Sequence, residues 1–168
     1  MTPRLSTRAA CALAALVCAL LLGFAYYLQN IKGLEPCPLC LIQRGFFYGL
    51  LIVFLAGAVH GRAKTIYGVL GVLVAAGGAA VASRQVWLQH LPKDQVPQCG
   101  PDLYFMLENF PLGQTLQKLI AGSGECAAVD WTFLGLSIAE WSLAWFCALL
   151  LYSLWLAARR TASSPARA

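Results

Sequence analysis

The sequence predicts an all-α integral membrane protein: a four-helix transmembrane bundle with a long outer loop that carries a short surface amphipathic helix. Composition is the first reason, because 60% of the residues are hydrophobic and only 11% are charged, which is too apolar for a soluble domain. The second is four apolar runs, which predict transmembrane helices at about residues 9–28, 41–59, 65–83 and 141–158, each close to the roughly 20 residues that cross a hydrocarbon core. We expect one membrane domain over residues 1–168, with its outer loop at about 85–140.

Charge is divided unequally between the two sides of the predicted bundle. Seven of the twelve Lys and Arg residues fall in the N-terminal tail, the second loop and the C-terminal tail, where there is no acidic residue. All seven Asp and Glu residues fall on the other side. Because Lys and Arg are retained on the cytoplasmic side of short loops, we predict that both termini are cytoplasmic. The net charge of +5 therefore reflects topology and gives no reason to expect nucleic acid.

The first predicted helix follows Arg4 and Arg8, a pattern that also precedes the apolar core of a secretory signal. Its apolar run is longer than the usual signal core of about 7–15 residues. We therefore expect this helix to be retained. Tyr26 and Tyr27 are placed to mark its outer interface, where amphipathic rings are favoured.

A C-x-x-C motif, formed by Cys37 and Cys40, stands where the second helix is expected to begin. Pro38 suits a first helical position, which would place Cys40 in the first turn, beside free backbone N–H groups that favour a thiolate. Arg44 follows four residues later, so its positive charge is expected on the same helix face. The motif alone also serves zinc sites and soluble thioredoxin-like domains. At the start of an apolar run, it indicates a reactive dithiol at the outer surface of the membrane.

The second and third predicted helices are rich in small residues. Gly45, Gly49 and Gly57 recur along helix two, and helix three holds still more Gly and Ala, including Gly68 and Gly78. Small side chains let membrane helices approach closely. We therefore expect these glycines to serve helix packing.

The predicted outer loop contains Cys99, Cys126 and four of the eight prolines. Apolar residues at helical spacing between Leu112 and Ile120, with polar residues opposite, predict the amphipathic helix on the membrane surface. The prolines break the rest of the loop into extended pieces.

Four of the seven cysteines lie at or beyond the outer surface: Cys37, Cys40, Cys99 and Cys126. Cys99 and Cys126 could simply staple the loop, or they could exchange disulfides with the C-x-x-C. Zinc binding by the four is disfavoured, since the loop pair lacks the paired spacing of common sites and no His completes one. The other three are expected to act as small buried hydrophobes: Cys11, Cys18 and Cys147.

The chain resembles the DsbB family of disulfide bond formation proteins from about Leu20 to Tyr152. The motifs that carry the resemblance are Pro-Cys-Pro-Leu-Cys followed by Arg44, the loop pair Cys99 and Cys126, and Asp-Trp-Thr-Phe-Leu-Gly-Leu after the last loop cysteine. The resemblance implies an inner-membrane protein-disulfide oxidoreductase that reoxidises a periplasmic DsbA-like thioredoxin-fold protein. It also implies that the electrons pass to a quinone, ubiquinone or menaquinone.

The resemblance further implies a role for each outer cysteine. Cys99–Cys126 would be the disulfide attacked by the reduced partner, with Cys99 forming the intermolecular bond. Cys126 would then exchange with Cys37, and Cys40 would be left as the thiolate that faces the quinone.

Two residues would bind the quinone if the family's pattern holds. Arg44 matches the family's quinone-site arginine. His90 aligns approximately with a quinone-proximal histidine, and an ordinary interfacial histidine is the alternative.

Two other functions stay open on the sequence. A vitamin K epoxide reductase-like protein also pairs loop cysteines with a membrane C-x-x-C, but that family places its loop pair earlier in the chain, so the order here disfavours it. A disulfide-stapled structural or transport subunit without turnover is the other, and transport has weak support because no charged residue lies in the middle of a span. We expect a multi-pass protein of the bacterial inner membrane.

Overall fold

The fold is described from a computed structural model that covers residues 6–61, 64–92, 95–96, 110–111, 113–114, 124–129 and 131–158. Four long helices and a short hairpin organise this part of the chain. The elements, in chain order, are α1 Thr7–Lys32, α2 Pro38–His60, α3 Lys64–Gln89, α4 Gly124–Ala127, β1 Thr132–Phe133, β2 Leu136–Ser137 and α5 Ile138–Ala158.

Four helices, α1, α2, α3 and α5, are long and apolar enough to cross a membrane. This confirms the predicted four-helix membrane fold. The connections between α1, α2 and α3 are short, so successive helices run antiparallel and the end of α1 lies beside the start of α2. The protein is a multi-pass membrane protein.

The first two helices begin and end at residues whose chemistry suits those positions. Ser6 caps α1 by accepting a hydrogen bond from Ala9 N at 3.2 Å, which satisfies one of the free N–H groups of the first turn. Pro38 is the first residue of α2, as the sequence predicted. Gly33 and Gly61 end the two helices in the left-handed conformation, which only Gly adopts without strain.

α3 is longer than the sequence predicted. The predicted span stopped at residue 83 and the outer loop began at 85, whereas the helix continues to Gln89. The reason is packing, because Ala82, Gln85 and Leu88 are buried at helical spacing and continue the inward face of the helix. The extension ends just before Pro92, which cannot continue a helix. The correction matters because it moves Gln85 from the loop into the bundle.

Close contacts hold the helices together. Phe47 of α2 stacks on Phe146 of α5 with 4.1 Å between ring centroids, and Tyr152 of α5 donates a hydrogen bond to Ala10 O of α1 at 2.8 Å. A Cβ on Gly68 would lie 2.6 Å from Ala157 N. The expectation that small residues serve helix packing is therefore confirmed there.

Individual glycines of α2 and α3 differ in how tightly they pack. A Cβ on Gly78 would overlap the Phe146 ring, and one on Gly57 would lie 2.9 Å from Cys11 Sγ. At Gly49 the nearest atom would be 3.2 Å away, on Val74. Gly45 is the exception to the prediction, since a Cβ there would meet no described atom within 4 Å, because it faces outward from the bundle.

The hairpin β1–β2 leads the chain back into the bundle. Phe133 pairs with Leu136 across an antiparallel turn. Ser137 and Glu140 then cap α5 reciprocally: Ser137 N donates to Glu140 Oε2 at 2.7 Å and Glu140 N donates to Ser137 Oγ at 3.3 Å. This is a capping box, and it fixes where the last helix begins. The amphipathic helix predicted between Leu112 and Ile120 lies largely outside the described residues.

Candidate functional site

The C-x-x-C cysteines lie at the end of the bundle where α2 begins. Cys37 is the N-cap residue of α2, and Cys40 lies in the first turn, with Leu41 N donating to Cys37 O at 3.1 Å. The structure holds both residues as thiols, and Cys37 Sγ donates to Cys40 Sγ at 2.9 Å. The start of α2 therefore brings the two sulfurs into contact.

Cys126 joins this pair from a distant part of the chain. It lies on the short helix α4 and is fully buried, in a small cluster with Leu39 of α2 and Leu88 of α3. Cys37 packs against the same cluster, and the Cys126 thiol is close enough to raise the pKa of the Cys37 thiol. Three cysteines from two separate segments thus meet at one point, within reach for exchange of a disulfide.

A pair of buried glutamines borders the sulfurs. Gln85 of α3 donates through Nε2 to Cys37 Sγ at 3.3 Å and to Cys40 Sγ at 3.2 Å. Gln43 of α2 donates to Gln85 Oε1 at 2.6 Å. Both side chains are only 3% exposed.

Sequence reasoning missed both glutamines. The predicted outer loop, at about residues 85–140, includes Gln85, and the sequence pattern gives Gln43 no role. One signal was available: each is a polar residue within a largely apolar helix, and such residues inside membrane bundles need partners and often mark functional sites.

The environment of Cys37 favours its neutral thiol. Hydrogen bonds to Cys126 and Cys40, together with burial, raise the pKa of the Cys37 thiol well above its usual range. Each of these influences penalises a thiolate at Cys37. In the dithiol state, Cys37 therefore holds its proton.

Arg44 lies in α2, one turn below Cys40, and its contacts are with α1. Its guanidinium donates to Gln29 Oε1 at 2.5 Å and to Ala25 O at 3.1 Å, and it lies 5.2 Å from the centroid of the Tyr26 ring. The guanidinium carries five N–H donors, more than these two bonds use. It therefore forms a partly buried cationic site between α1 and α2, near the C-x-x-C.

His90 follows Gln89, the last residue of α3, and lies near Glu140 in the first turn of α5. Its Nδ1 lies 2.9 Å from Val86 O, and its Nε2 lies 3.9 Å from Glu140 Oε1, with the histidine side chain 68% exposed. Its predicted place at a quinone stays a prediction. Cys99 lies outside the described residues.

Fold and site together define a class of protein: a membrane-embedded thiol–disulfide oxidoreductase, with its dithiol at one end of a four-helix bundle. Comparison with known proteins agrees and is more specific. The sequence model of the family "Disulfide bond formation protein DsbB" matches residues 7–156.

Curated relatives carry the same name. The chain is 50% identical over 152 residues to "Disulfide bond formation protein B" of Methylococcus capsulatus, covering 89% of this chain and 93% of that protein. It is 55% identical over 129 residues to the protein of that name in Hahella chejuensis, covering 75% and 78%. The protein in Acinetobacter baumannii is 47% identical over 156 residues, covering 90% and 91%.

The chain belongs to the DsbB family of disulfide bond formation proteins. It is therefore a protein-disulfide oxidoreductase. Membership selects this class over the two alternatives that the sequence left open, the vitamin K epoxide reductase-like protein and the stapled subunit without turnover.

Proposed function

We propose that this protein reoxidises a periplasmic DsbA-like thioredoxin-fold protein by thiol–disulfide exchange and passes the electrons to a membrane quinone. The observation that carries the proposal is the meeting of Cys126 with the C-x-x-C: Cys37 packs against the buried cluster that holds Cys126, and Cys37 Sγ donates to Cys40 Sγ at 2.9 Å. Exchange requires a thiolate to reach a disulfide sulfur directly. This cluster meets that requirement without a large movement of the bundle.

The first exchange takes place on the loop pair. A thiolate of the reduced partner attacks Cys99 in the Cys99–Cys126 disulfide, so a partner–Cys99 bond forms and Cys126 leaves as a thiolate. The partner's second thiolate then attacks the partner sulfur that is bonded to Cys99 in the mixed disulfide. That step releases the oxidised partner and leaves Cys99 as a thiolate.

The second exchange passes the electrons to the C-x-x-C. The Cys126 thiolate attacks Cys37 in the Cys37–Cys40 disulfide, a Cys126–Cys37 bond forms, and Cys40 leaves with the electron pair. Attack of the Cys99 thiolate on Cys126 restores the loop disulfide and returns Cys37 to the thiol state. The raised pKa of Cys37 suits this end point, because Cys37 holds a proton once it is released.

The residues near Cys40 fit a quinone by their donor set. Arg44 has N–H groups to spare and stands beside an aromatic ring of α1, so it can donate to a carbonyl oxygen next to an apolar surface. A bound ubiquinone or menaquinone would accept two electrons and two protons from the dithiol, which restores the Cys37–Cys40 disulfide. Arg44 would hold and polarise that acceptor, and we retain His90 as a second, more distant candidate.

Turnover by the purified protein tests the function. Full-length protein in nanodiscs is given a reduced thioredoxin-fold donor and a soluble quinone, and quinone reduction is followed by its ultraviolet absorbance. We expect steady reduction that depends on both substrates. Absence of turnover with every quinone and with several DsbA-like donors would contradict the proposal.

The proposed location is the bacterial inner membrane, with both termini in the cytoplasm and the loop cysteines in the periplasm. A membrane-impermeant maleimide added to intact spheroplasts should label Cys99 after mild reduction. Labelling only after the membrane is permeabilised would place the loop in the cytoplasm and contradict both the topology and the partner.

A further inference from the structure

The buried amide of Gln85 contacts both sulfurs of the C-x-x-C, and the proposed exchange reactions do not use it. Gln85 is 3% exposed, yet its Nε2 lies 3.2 Å from Cys40 Sγ and 3.3 Å from Cys37 Sγ. Burying an amide is costly unless it is hydrogen-bonded, and sulfur is a weak acceptor as a thiol. The contact becomes strong only when one of the sulfurs is ionised.

Gln43 determines which way this amide faces. Its Nε2 donates to Gln85 Oε1 at 2.6 Å, so the oxygen of Gln85 is directed at Gln43 and its NH₂ group is directed at the sulfurs. The Cys40 thiol also lies 3.6 Å from Gln85 Oε1 as a donor. One side chain can thus accept from the Cys40 thiol and donate to the Cys40 thiolate.

We propose that Gln85 is a catalytic residue that stabilises the Cys40 thiolate when it is released, and that Gln43 is a positioning residue that holds the Gln85 amide. The proposal rests on the proposed function and concerns one step. The Cys126 thiolate attacks Cys37, the Cys126–Cys37 bond forms, the Cys37–Cys40 bond breaks, and the electron pair goes to Cys40 Sγ. No proton moves in this step, so the developing negative charge must be met by a donor already in place.

Gln85 meets that need in a way that favours the transition state. Its N–H donates weakly to a disulfide sulfur and more strongly to a thiolate, so it stabilises the leaving group more than the starting state. A better-stabilised leaving thiolate leaves faster. The described contacts of Arg44 are with Gln29, Ala25 and Tyr26, whereas Gln85 touches the reacting sulfur itself.

The test measures the ionisation of Cys40 in the full-length protein. In a Cys37→Ala background, Cys40 is freed, and its alkylation is followed across a pH series by site-resolved mass spectrometry. Gln85→Met keeps the size of the side chain and removes the donor. We expect the pH of half-maximal Cys40 alkylation to rise by about one unit, the equivalent of a tenfold change.

Gln89→Met is the matched control, since it makes the same change one turn further along α3. Gln89 Oε1 accepts a hydrogen bond from Ser137 Oγ at 2.7 Å, away from the sulfurs. The pH of half-maximal Cys40 alkylation should therefore not change in this variant. If Gln85→Met leaves the midpoint unchanged, or lowers it because the amide mainly stabilises the thiol, the proposal is overturned.

A variant at Gln43 keeps the test decisive if Gln85→Met does not accumulate in the membrane. Gln43→Met leaves the Gln85 amide in place but frees its orientation, so the midpoint should rise by less than in Gln85→Met. No rise with Gln43→Met would then overturn the proposal. Donor-dependent turnover gives the second measurement: with all native cysteines present, Gln85→Met should lower kcat about tenfold and leave the donor KM unchanged.

The alkylation test is independent of turnover. If the wild-type protein reduces no quinone, the proposed function fails while the Gln85–Cys40 contact can still be measured. If the wild type turns over and Gln85→Met matches it in kcat and alkylation, only the role of Gln85 fails.

Discussion

Two groups of cysteines in this molecule differ in what surrounds their sulfurs, although each group has fully buried members. Cys11 and Cys18 of α1 and Cys126 of α4 are each 0% exposed. The α1 pair packs into the apolar core of the bundle, whereas Cys126 meets another thiol. Cys37 and Cys40, beside it, also meet a buried amide. Burial alone therefore does not distinguish a packing cysteine from a reactive one, and the partners of the sulfur do.

Removing one sulfur from each group should separate them most clearly. Cys40→Ala should abolish quinone reduction, because no thiolate remains to deliver the electrons, while Cys18→Ala should keep wild-type turnover. The assay is quinone absorbance with a reduced donor. With both Cys37 and Cys40 replaced by Ala, a reduced donor should still open the Cys99–Cys126 bond once per protein; steady turnover of that variant would refute the relay.

Enlarging a core cysteine should affect stability and leave the chemistry intact. Cys11 Sγ lies where a Cβ on Gly57 would be only 2.9 Å away, so Cys11→Leu should overpack the α1–α2 contact and lower the free energy of unfolding by about 1–3 kcal/mol. Detergent or heat unfolding of the purified protein measures the change. Cys147→Leu is the control, since Cys147 is exposed on the surface of α5, which shows that the prediction of a buried Cys147 was wrong: it lies on the face of α5 that does not pack into the bundle. Equal losses in the two variants would show that the core is not tightly packed at Cys11.

The positive charge of Arg44, near the C-x-x-C, should strengthen the binding of quinone. Arg44→Gln should weaken the apparent affinity for quinone by about tenfold, the worth of one hydrogen bond from a charged donor, while the protein still folds in the membrane. Arg84→Gln is the matched control, because the Arg84 guanidinium lies on α3, 4.3 Å from the centroid of the Trp87 ring. Unchanged quinone affinity and rate in Arg44→Gln would remove Arg44 from the site.

The smallest expected effect is the change with pH in the free energy of unfolding of the reduced protein. The pKa of the Cys37 thiol is raised by its hydrogen bonds and burial, so the folded, reduced protein keeps this proton at pH values where the unfolded chain has lost it. The free energy of unfolding of the reduced protein should therefore fall as pH rises above about 8.5, by at most about 1.4 kcal/mol per pH unit.

Cys37→Ser is the control for this trend, since a serine hydroxyl does not titrate there. Unfolding of the reduced wild type and of the variant is compared between about pH 7.5 and 9.5. Parallel curves for the two proteins would contradict the assigned cause.

Much of the fold could be predicted from short-range patterns in the sequence. Apolar runs predicted the four spans, Pro38 predicted the start of α2, and the C-x-x-C spacing placed Cys37 and Cys40 in contact. The prediction ends α3 too early, at residue 83, because the uncharged run stops at the charged residue Arg84. Packing of Leu88 carries the helix on to Gln89.

The amino-acid sequence by itself determined which residues could react, since thiol chemistry belongs to the side chain and the C-x-x-C places two thiols on one helical turn. Only the tertiary structure decided which groups surround them. Gln43 and Gln85 are 42 residues apart in sequence, and Cys126 reaches Cys37 from a distant part of the chain. No local pattern in the sequence specifies these long-range contacts. They follow from how α2, α3 and α4 pack and from the need of each buried polar group to find a partner.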